Sequence, residues 1–214
     1  MKPLIAVPII AERTGQALKK AQEAMQRGAD LVEYRIDYMP KTNLETIIIP
    51  KIPCIITNRH PEEDKNSPGY YCEPARLSKL KEAARLGASY IDIESNFLQE
   101  DFLRGINRDK TKVIISYHNF EETPENLSEI YRKIVSQGAD IVKIATAANN
   151  AYDVDKMFNL IETAEMPIIG ICMGEKGKLT RVAPKNYLTF GALSKDECSA
   201  PGQYTIEELI EHFK

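Results

Sequence analysis

The phrase Gly28-Ala29-Asp30-Leu31-Val32-Glu33 recurs twice along the chain, as Gly87-Ala88-Ser89-Tyr90-Ile91-Asp92 and as Gly138-Ala139-Asp140-Ile141-Val142-Lys143. Each copy follows an amphipathic segment with helical period and leads into a short apolar run. Glycine suits the left-handed position that ends a helix, so each copy marks a turn from helix to strand. The copies begin 59 and 51 residues apart, about two βα units, which predicts that they open strands two, four and six of one repeating array.

Apolar runs and amphipathic segments alternate through the whole sequence. The predicted strands are Leu4–Ile10, Leu31–Ile36, Pro53–Thr57, Tyr90–Ile93, Lys112–Ser116, Ile141–Ile144, Pro167–Cys172 and Tyr187–Phe190. The predicted helices include Thr14–Arg27, Pro74–Leu86, Pro124–Gln137, Ala151–Ala164 and Thr205–Phe213. Eight strands alternating with about eight helices favour parallel βαβ units. We predict an α/β fold, a single (β/α)8 TIM barrel of near-minimal length over residues 1–214. A doubly wound sheet is the alternative, although no Gly-rich dinucleotide loop follows strand one.

Length, composition and charge exclude several classes of protein. The 214 residues are 43% hydrophobic and 28% charged, as in soluble globular proteins rather than disordered ones. A net charge of −3 gives no broad electrostatic basis for binding nucleic acid. No apolar run approaches the ~18 residues that a membrane span needs. We therefore expect neither a nucleic acid nor a membrane as partner.

The cysteines and the first residues predict a cytoplasmic protein without a metal site. The four cysteines form no CxxC pair, and no histidine lies at ligand spacing from them; they are Cys54, Cys72, Cys172 and Cys198. Free thiols in a reducing compartment are the simplest interpretation. The stretch 1–10 runs directly into polar sequence and lacks the pattern of a signal peptide.

The repeat also makes a geometric prediction about charge. Glu33, Asp92 and Lys143 hold the same position in the three copies, so they should share one interior layer of the barrel. Arg35 and Glu94 lie two residues further on and point the same way, because side chains alternate along a strand. Buried charges cost several kcal/mol each unless they are paired. Such a cluster is expected mainly where function requires it.

Lys143 is the first candidate for chemistry. A lysine at a strand end often carries its amine out to water on a long stem. The predicted layer of carboxylates argues against that interpretation here. A desolvated lysine can supply the free amine that Schiff-base chemistry requires.

His118 is the candidate for proton transfer. It ends the predicted strand five in Ser116-Tyr117-His118-Asn119-Phe120, at the face where barrel active sites lie. The alternative is a hydrogen-bonded structural histidine. His60, in a charged loop, and His212, in the terminal helix, are weaker candidates.

Three arginines and one loop are candidates for binding. Arg35, Arg59 and Arg181 would form an anion-binding cluster on one face, because guanidinium groups match carboxylates. Taken singly, each is more often a surface residue. Ser199-Ala200-Pro201-Gly202-Gln203, before the last helix, suits a lid or a hydroxyl-binding loop, although such a sequence can also be a simple turn.

With these residues in place, the chain resembles the type I 3-dehydroquinate dehydratases (3-dehydroquinases) of the shikimate pathway over nearly its whole length. The matching motifs, in order, are Val32-Glu33-Tyr34-Arg35-Ile36-Asp37, Thr57-Asn58-Arg59, Ile91-Asp92-Ile93-Glu94, Ser116-Tyr117-His118-Asn119-Phe120, Val142-Lys143-Ile144-Ala145, Gly177 to Arg181, and Ser199-Ala200-Pro201-Gly202-Gln203. Any one motif is weak evidence. All seven in the right order, each at a strand end, make the resemblance strong.

The resemblance implies a fold, a reaction and a set of roles. The family fold is a (β/α)8 barrel, and members are commonly homodimers. The reaction would be the dehydration of 3-dehydroquinate to 3-dehydroshikimate, catalysed by a hydro-lyase of aromatic amino acid biosynthesis. Lys143 would form the imine with the substrate ketone, and His118 would act as general base and then general acid. No metal or organic cofactor would be required.

The resemblance also implies residues that bind the substrate and orient the histidine. Arg181 would hold the substrate carboxylate. The groups that bind ring hydroxyls and close the site would be Glu33, Arg35, Arg59, Ser199 and Gln203. Counting from Arg59 gives Glu63 as the carboxylate that orients His118, with Glu62 as the alternative, and Asp92 and Glu94 are possible additional site residues. The chain departs from the family pattern at Asn58, at Pro8 and in Pro61-Glu62-Glu63-Asp64.

Two other functions remain open from the residues alone. A class I aldolase would share a Schiff-base lysine on strand six, and Gly170–Gly174 could then be a phosphate-binding loop. Arg181 and the loop 199–203 argue instead for a carboxylate-bearing substrate. A catalytically silent barrel that only binds a ligand would have lost Lys143 or His118, and both are present.

Overall fold

A curled sheet of nine parallel strands forms the centre of the protein, in a computed structural model that describes residues 2–39, 41–64, 67 and 72–214. The strands are β1 (Leu4–Ile9), β2 (Leu31–Arg35), β3 (Cys54–Thr57), β4 (Tyr90–Glu94), β5 (Lys112–Asn119), β6 (Ile141–Ala147), β7 (Ile168–Met173), β8 (Leu188–Ala192) and β9 (Tyr204–Thr205). The helices are α1 (Thr14–Gln26), α2 (Leu44–Ile48), α3 (Glu73–Leu86), α4 (Leu127–Ser136), α5 (Ala151–Thr163) and α6 (Ile206–His212).

The order of the strands distinguishes a barrel from a doubly wound sheet. Neighbours run β7-β6-β5-β4-β3-β2-β1-β8-β9, so consecutive strands lie side by side and β8 adjoins β1. A doubly wound sheet would reverse its order at an inner strand. The predicted α/β barrel is therefore confirmed, and the doubly wound alternative is wrong.

Two residues just before β8 close the ring between β7 and β8: the N–H of Tyr187 donates to the carbonyl of Ile168 at 2.7 Å, and Asn186 pairs with β7 through its side chain. Asn186, just before β8, forms an isolated parallel bridge with Ile168. Its side-chain amide accepts a hydrogen bond from the N–H of Gly170 at 2.8 Å and donates to the carbonyl of Gly170 at 3.1 Å. The amide thus pairs with a β7 residue much as a strand backbone would, at a point where the two strands do not form a regular ladder.

The repeated phrase has two structural roles. Its glycines, Gly28, Gly87 and Gly138, adopt φ of +100°, +92° and +86°, as predicted for residues that end helices. Its third residue accepts a hydrogen bond from a backbone N–H near the start of the neighbouring odd-numbered strand. These bonds are Ile5 to Asp30 at 2.8 Å, Cys54 to Ser89 at 3.3 Å and Val113 to Asp140 at 2.7 Å. The phrase therefore ends a helix and also secures the adjacent strand.

The prediction of about eight helices is wrong for two connections. A 3-10 turn and other turns join β4 to β5, in a stretch rich in turn formers that includes Gly105, and a 3-10 helix, Glu175–Val182, joins β7 to β8. Gly177 in that helix lies so close to β7 that a Cβ there would meet the backbone of Cys172. The predicted helix from Pro124 begins only at Leu127. No helix in the described part of the chain is long and apolar enough to cross a membrane.

Three apolar clusters surround and fill the barrel, and two of them are large. The larger lies between the strands and the helices and includes Val32, Ile56, Leu80 and Ile144. The smaller fills the barrel interior; its members include Leu31, Ile55, Ile114, Ile141, Ile169 and Leu188. Tyr90, the first residue of β4, and Tyr187, just before β8, pack against this inner core. The other half of the interior, toward the ends of the strands, holds charged groups together with apolar side chains such as Met173 and Phe190.

Candidate active site

The cavity at the carboxyl ends of the strands brings together the residues that the sequence singled out. Its lining includes every predicted catalytic or binding residue: Lys143, His118, Glu63, Glu33, Arg35, Arg59, Arg181, Ser199 and Gln203. Asp92 and Glu94, predicted as possible additions, lie fully buried behind the lining, and Glu62 is exposed to solvent. These positions follow from parallel strands, whose carboxyl ends meet at one face of the barrel.

Lys143, on β6, lies deep in this cavity with 5% of its surface exposed. Its Nζ lies 2.8 Å from an oxygen of Asp92 and 3.9 Å from an oxygen of Glu33. The amine also lies 4.6 Å from the centre of the ring of Phe190, which is on β8, two strands from β6 around the ring. The shared layer of Glu33, Asp92 and Lys143 is thus confirmed. Its geometry holds one amine at the floor of the cavity between carboxylates and an aromatic face.

Arg59 supports this layer from the loop after β3. Its guanidinium donates to both oxygens of Asp92 at 3.1 Å, to Glu94 at 3.0 Å and to the hydroxyl of Ser116 at 2.9 Å. The positive charges of Arg59 and Lys143 hold the pKa of Asp92 far below its usual range, although burial acts in the opposite direction. Asp92 therefore remains ionised beside the lysine. Buried charges become tolerable in this way only because each is paired.

A histidine–glutamate pair lies beside the lysine. Nδ1 of His118, on β5, lies 2.8 Å from Oε2 of Glu63. Burial lowers the pKa of His118 well below its usual value, and the positive charges of Arg59 and Lys143 add to the effect. Burial raises the pKa of Glu63 to about 8, and the nearby carboxylates Glu94 and Asp92 add to this shift against the charge of Arg59. His118 and Glu63 are hydrogen-bonded to each other, so a change in the charge of one shifts the pKa of the other.

The turn after β3 determines which glutamate reaches the histidine. Pro61–Glu63 forms a 3-10 turn, whose consecutive side chains point in different directions. Glu63 points into the barrel and is 5% exposed, whereas Glu62 faces solvent. The backbone N–H of Glu62 donates to the ring of His60, 3.2 Å away. Geometry therefore favours Glu63 over Glu62 as the partner of His118.

Arg181 is the cavity arginine without an acidic partner among the described residues. It is 2% exposed, and its one hydrogen bond to a described group goes from Nη2 to the carbonyl of Pro201 at 3.0 Å. Its Nε is buried with no partner in the described chain. Burial lowers the pKa of Arg181 to about 10, so the group is still a cation at neutral pH. An uncompensated buried cation facing a cavity is a binding site for an anion.

The loop after β8 closes one side of the cavity. The side-chain oxygen of Gln203 accepts hydrogen bonds from the N–H of Ser199 at 2.8 Å and from its hydroxyl at 3.2 Å. Nε2 of Gln203 is buried and has no partner among the described residues. Gly202 adopts a φ of +72° and lies against Gly174, where a Cβ would collide with the backbone. The loop therefore offers the cavity one free amide donor on a tightly packed support.

Several features of the site were not found by sequence reasoning. Asp64 lines the cavity and contacts Arg35. Phe190 lies over the lysine, although its place in the predicted strand eight, two residues after Leu188, could have assigned it to the interior. Phe120 is 55% exposed at the cavity mouth and stacks on His118 with ring centres 6.1 Å apart. These groups add apolar walls and a further charge to the predicted set.

The interpretation of Gly170–Gly174 as a phosphate loop is not supported by the geometry. The N–H of Gly170 bonds to Asn186, and the N–H of Gly174 donates to the carbonyl of Pro201 at 3.2 Å. Both amides are thus occupied within the protein. In the described part of the chain, no group of three or more His, Cys, Asp or Glu side chains is arranged to hold a metal ion.

The family model and the sequence relatives of this chain agree on one family. A family model described as type I 3-dehydroquinase matches residues 5–214. A 3-dehydroquinate dehydratase from Methanocaldococcus jannaschii is 40% identical, over 97% of this chain and 96% of that protein. A chloroplastic bifunctional 3-dehydroquinate dehydratase/shikimate dehydrogenase from Arabidopsis thaliana is 39% identical over 97% of this chain, which spans only 36% of the plant protein. The crystal structure of 3-dehydroquinate dehydratase from Geobacillus kaustophilus superposes with a TM-score of 0.88 at 25% identity, covering 99% of this chain and 90% of that one.

Proposed function

The chain belongs to the type I 3-dehydroquinase family and is a hydro-lyase that dehydrates 3-dehydroquinate, and we propose that Lys143 and His118 carry out the chemistry. The observation that carries this assignment is their shared cavity. A buried amine, an imidazole with a lowered pKa and an uncompensated Arg181 face the same space. These are the three groups that dehydration of a keto acid through an imine needs.

Lys143 supplies the electron sink. The ammonium group of Lys143, paired with Asp92, first gives a proton to His118, and the freed amine attacks the ketone carbon of 3-dehydroquinate. His118 returns that proton to the hydroxyl of the resulting carbinolamine, which leaves as water and gives an iminium ion. The iminium accepts the electron pair left when the adjacent C–H bond breaks, far better than a ketone would. Asp92 and Glu33, at 2.8 Å and 3.9 Å from the nitrogen, stabilise the positive charge of the iminium.

His118 moves the proton. When Glu63 is ionised it accepts a hydrogen bond from Nδ1–H, which leaves Nε2 to take the proton from the carbon next to the iminium and form an enamine. The same proton then goes to the departing hydroxyl, which leaves as water while the enamine returns its electrons. Hydrolysis of the conjugated iminium releases 3-dehydroshikimate and restores Lys143. Glu63 orients the ring and stabilises the imidazolium that forms between the two transfers.

Arg181 positions the substrate through its carboxylate. It is the cavity arginine that has no acidic partner among the described residues, and a carboxylate would satisfy its open donors. The hydroxyl groups of the ring would meet Glu33, Arg35, Arg59, Ser199 and the free amide of Gln203. A phosphorylated aldolase substrate fits less well, because the amides of Gly170 and Gly174 are already occupied.

We further propose a single catalytic domain, a homodimer and a cytoplasmic location. One continuous barrel sheet built from strands along the whole chain supports the single domain. The four cysteines are all free thiols, as in a reducing compartment. The homodimer rests on the family resemblance. The molecular mass in solution, measured by light scattering, tests it, and a monomer at micromolar concentration would contradict it.

Borohydride trapping tests the assignment of Lys143. Incubation with 3-dehydroquinate and sodium borohydride should reduce the iminium to a stable secondary amine, and peptide mass spectrometry should place the added mass on Lys143. The matched control is Lys156, a partly buried lysine that is ion-paired with Asp153 and Glu125. Absence of an adduct, or an adduct on Lys156 alone, would overturn the assignment.

A His118→Ala variant separates imine formation from dehydration. We expect borohydride to trap the substrate on Lys143 as before, while the rise of enone absorbance slows by about 10²–10⁴-fold, the usual contribution of general acid–base catalysis. His212→Ala, in the terminal helix, should leave both measurements unchanged. Turnover within a few-fold of the parent protein would show that another group moves the proton.

A further inference from the structure

The three arginines that line the cavity differ in how their charges are compensated. Arg59 is held by Asp92 and Glu94, and Arg35 by Asp37 and Asp64. Arg181 has no acidic partner among the described residues. A bound carboxylate therefore gains most at Arg181, where it meets the least negative charge.

Arg35 differs from Arg59 because one of its two acidic partners, Asp64, lies in the cavity lining. Asp37, 3% exposed, holds its guanidinium from behind, with Nε and Nη2 at 2.7–3.2 Å from the two carboxylate oxygens. Asp64 contacts the same Nη2 at 2.5 Å and lies in the lining of the cavity with Arg35. The contacts with these two aspartates use Nε and Nη2, and Arg35, 8% exposed, still lines the cavity.

We propose that Asp64 is a specificity-determining residue, which keeps Arg35 from acting as a second carboxylate site and so directs the substrate carboxylate to Arg181. Asp37 and Asp64 together bring two carboxylates to the one guanidinium of Arg35. This cluster can still donate a hydrogen bond to a neutral ring hydroxyl, but it repels an anion. The inference rests on the proposed function, since it assigns the orientation of the substrate in that cavity.

The place of Asp64 in the chain supports this role. It follows directly on the 3-10 turn Pro61–Glu63, so consecutive residues send one carboxylate to His118 and the next to Arg35. The same short turn thus serves the proton-transfer group and the binding group. If the substrate bound by its carboxylate at Arg35, its reacting carbons would lie in a different place relative to Lys143 and His118. The second carboxylate of the turn prevents that inverted binding.

Inorganic sulfate is the probe of the first experiment, because it binds guanidinium groups and needs no turnover. In an Arg181→Leu background the main anion site is removed. Adding Asp64→Asn should then tighten sulfate binding at least about tenfold by calorimetry, since a charge is removed at hydrogen-bond distance from Arg35. Glu62→Gln in the same background is the matched control: it removes the same charge from an exposed position of the same turn.

The second experiment measures steady-state kinetics of Asp64→Asn with Arg181 intact. Inverted, non-productive binding lowers kcat and KM by the same factor and leaves kcat/KM unchanged. We expect kcat and KM both to fall by about threefold or more, and Asp64→Glu, which keeps the charge, to restore them. A merely structural role in holding Glu63 would instead lower kcat/KM.

These measurements distinguish a failure of the Asp64 proposal from a failure of the proposed function. Equal sulfate affinity with and without Asp64→Asn, or an equal gain from Glu62→Gln, would overturn the proposal. So would a fall in kcat/KM that matches the fall in kcat. If Asp64→Asn does not fold, as judged by circular dichroism, Asp64→Ser serves for the same measurements. Failure of the parent protein to dehydrate 3-dehydroquinate would refute the proposed function, whereas the sulfate measurement would still test Asp64.

Discussion

The two halves of the barrel interior are built on opposite principles. Toward the beginnings of the strands, side chains such as Ile55, Ile114 and Leu188 fill the interior, and a hydrogen bond of 2.8 Å joins the hydroxyls of Tyr90 and Tyr187. Toward the ends of the strands, the same interior holds Lys143, Arg59, Asp92, Glu94 and Glu33, all at most 5% exposed. The two halves lie within a few residues of each other along the same strands.

This contrast separates the residues that stabilise the fold from the residues that carry out the chemistry. Apolar burial contributes about 25 cal/mol per Å² without needing a partner, so the apolar half stabilises the fold by itself. Each buried ion in the charged half costs several kcal/mol of desolvation and is tolerable only through its partners. We therefore expect substitutions in the charged half to change activity or pH dependence and, where they leave a charge unpaired, stability as well, whereas those in the apolar half should change stability alone.

Lys143→Met should give the largest effect, and it falls on activity. Methionine fills a similar volume but cannot form an imine, so we expect kcat/KM for 3-dehydroquinate to fall by about 10⁴-fold or more, some 5 kcal/mol of transition-state stabilisation. Initial rates followed by enone absorbance measure this. A variant that keeps a hundredth of the parent activity would mean that the charged half serves binding rather than covalent catalysis.

Asp92→Asn should give the next largest effect and tests whether the charged half depends on pairing. The substitution leaves Arg59 and Lys143 with one fewer counter-charge in a buried site. Breaking a buried ion pair from one side costs about 3–5 kcal/mol of unfolding free energy. Ile114→Val, at the neighbouring position of the apolar half, should cost only about 0.5–1.5 kcal/mol. Urea denaturation measures both, and equal losses would erase the contrast.

Much of this arrangement could be predicted from the sequence, because the repeat shows which residues of strands two, four and six point into the barrel. Once Glu33, Asp92 and Lys143 are seen to occupy one repeat position, the barrel places them in one layer, and the structure does so. The position of His118 follows from the end of its strand in the same way. These predictions need only the period of two along a strand and the parallel arrangement.

Other parts of the site depend on local geometry that the sequence does not encode as a pattern. The choice between Glu62 and Glu63 depends on a 3-10 turn of three residues, where a small rotation exchanges the inward and outward side chains. Closure of the ring by the side chain of Asn186 depends on contacts with β7 that no motif indicates. The compensation of Arg35 by Asp64 likewise joins the end of β2 to a turn 29 residues later in the chain. Such contacts arise from packing between elements, not from the sequence of one element.

Glu63→Gln tests how the charged half makes the free energy of unfolding depend on pH. Burial raises the pKa of Glu63 from 4.5 to about 8, so the folded state keeps a proton that the unfolded state releases, and Glu63 makes stability fall between pH 4.5 and 8. The lowered pKa of His118 acts in the opposite sense but only below about pH 6.5, where the unfolded histidine takes up its proton. The parent protein should therefore lose roughly 2 kcal/mol of unfolding free energy between pH 6.5 and 8.

A glutamine side chain cannot ionise, so the stability of the Glu63→Gln variant should be flat over that interval. Urea denaturation at several pH values, at constant ionic strength, measures the difference. Glu62→Gln is the control, because that side chain is exposed and its substitution should leave the pH profile as in the parent. A parent protein whose stability does not fall above pH 6.5 would contradict the raised pKa of Glu63.

Tyr187→Phe should give the smallest effect and tests the apolar half. The substitution removes one hydroxyl from the pair at the beginning of β4 and β8 and leaves Tyr90 to find water at a partly buried position. Loss of such a hydrogen bond costs about 1 kcal/mol of unfolding free energy. Tyr90→Phe should cost about the same, and the double variant should cost less than the two together, because either single change already breaks the bond. In all three variants kcat/KM should remain within twofold of the parent, since the tyrosines lie at the end of the barrel opposite Lys143. A larger loss of activity would show that the two halves are coupled through the strands that they share.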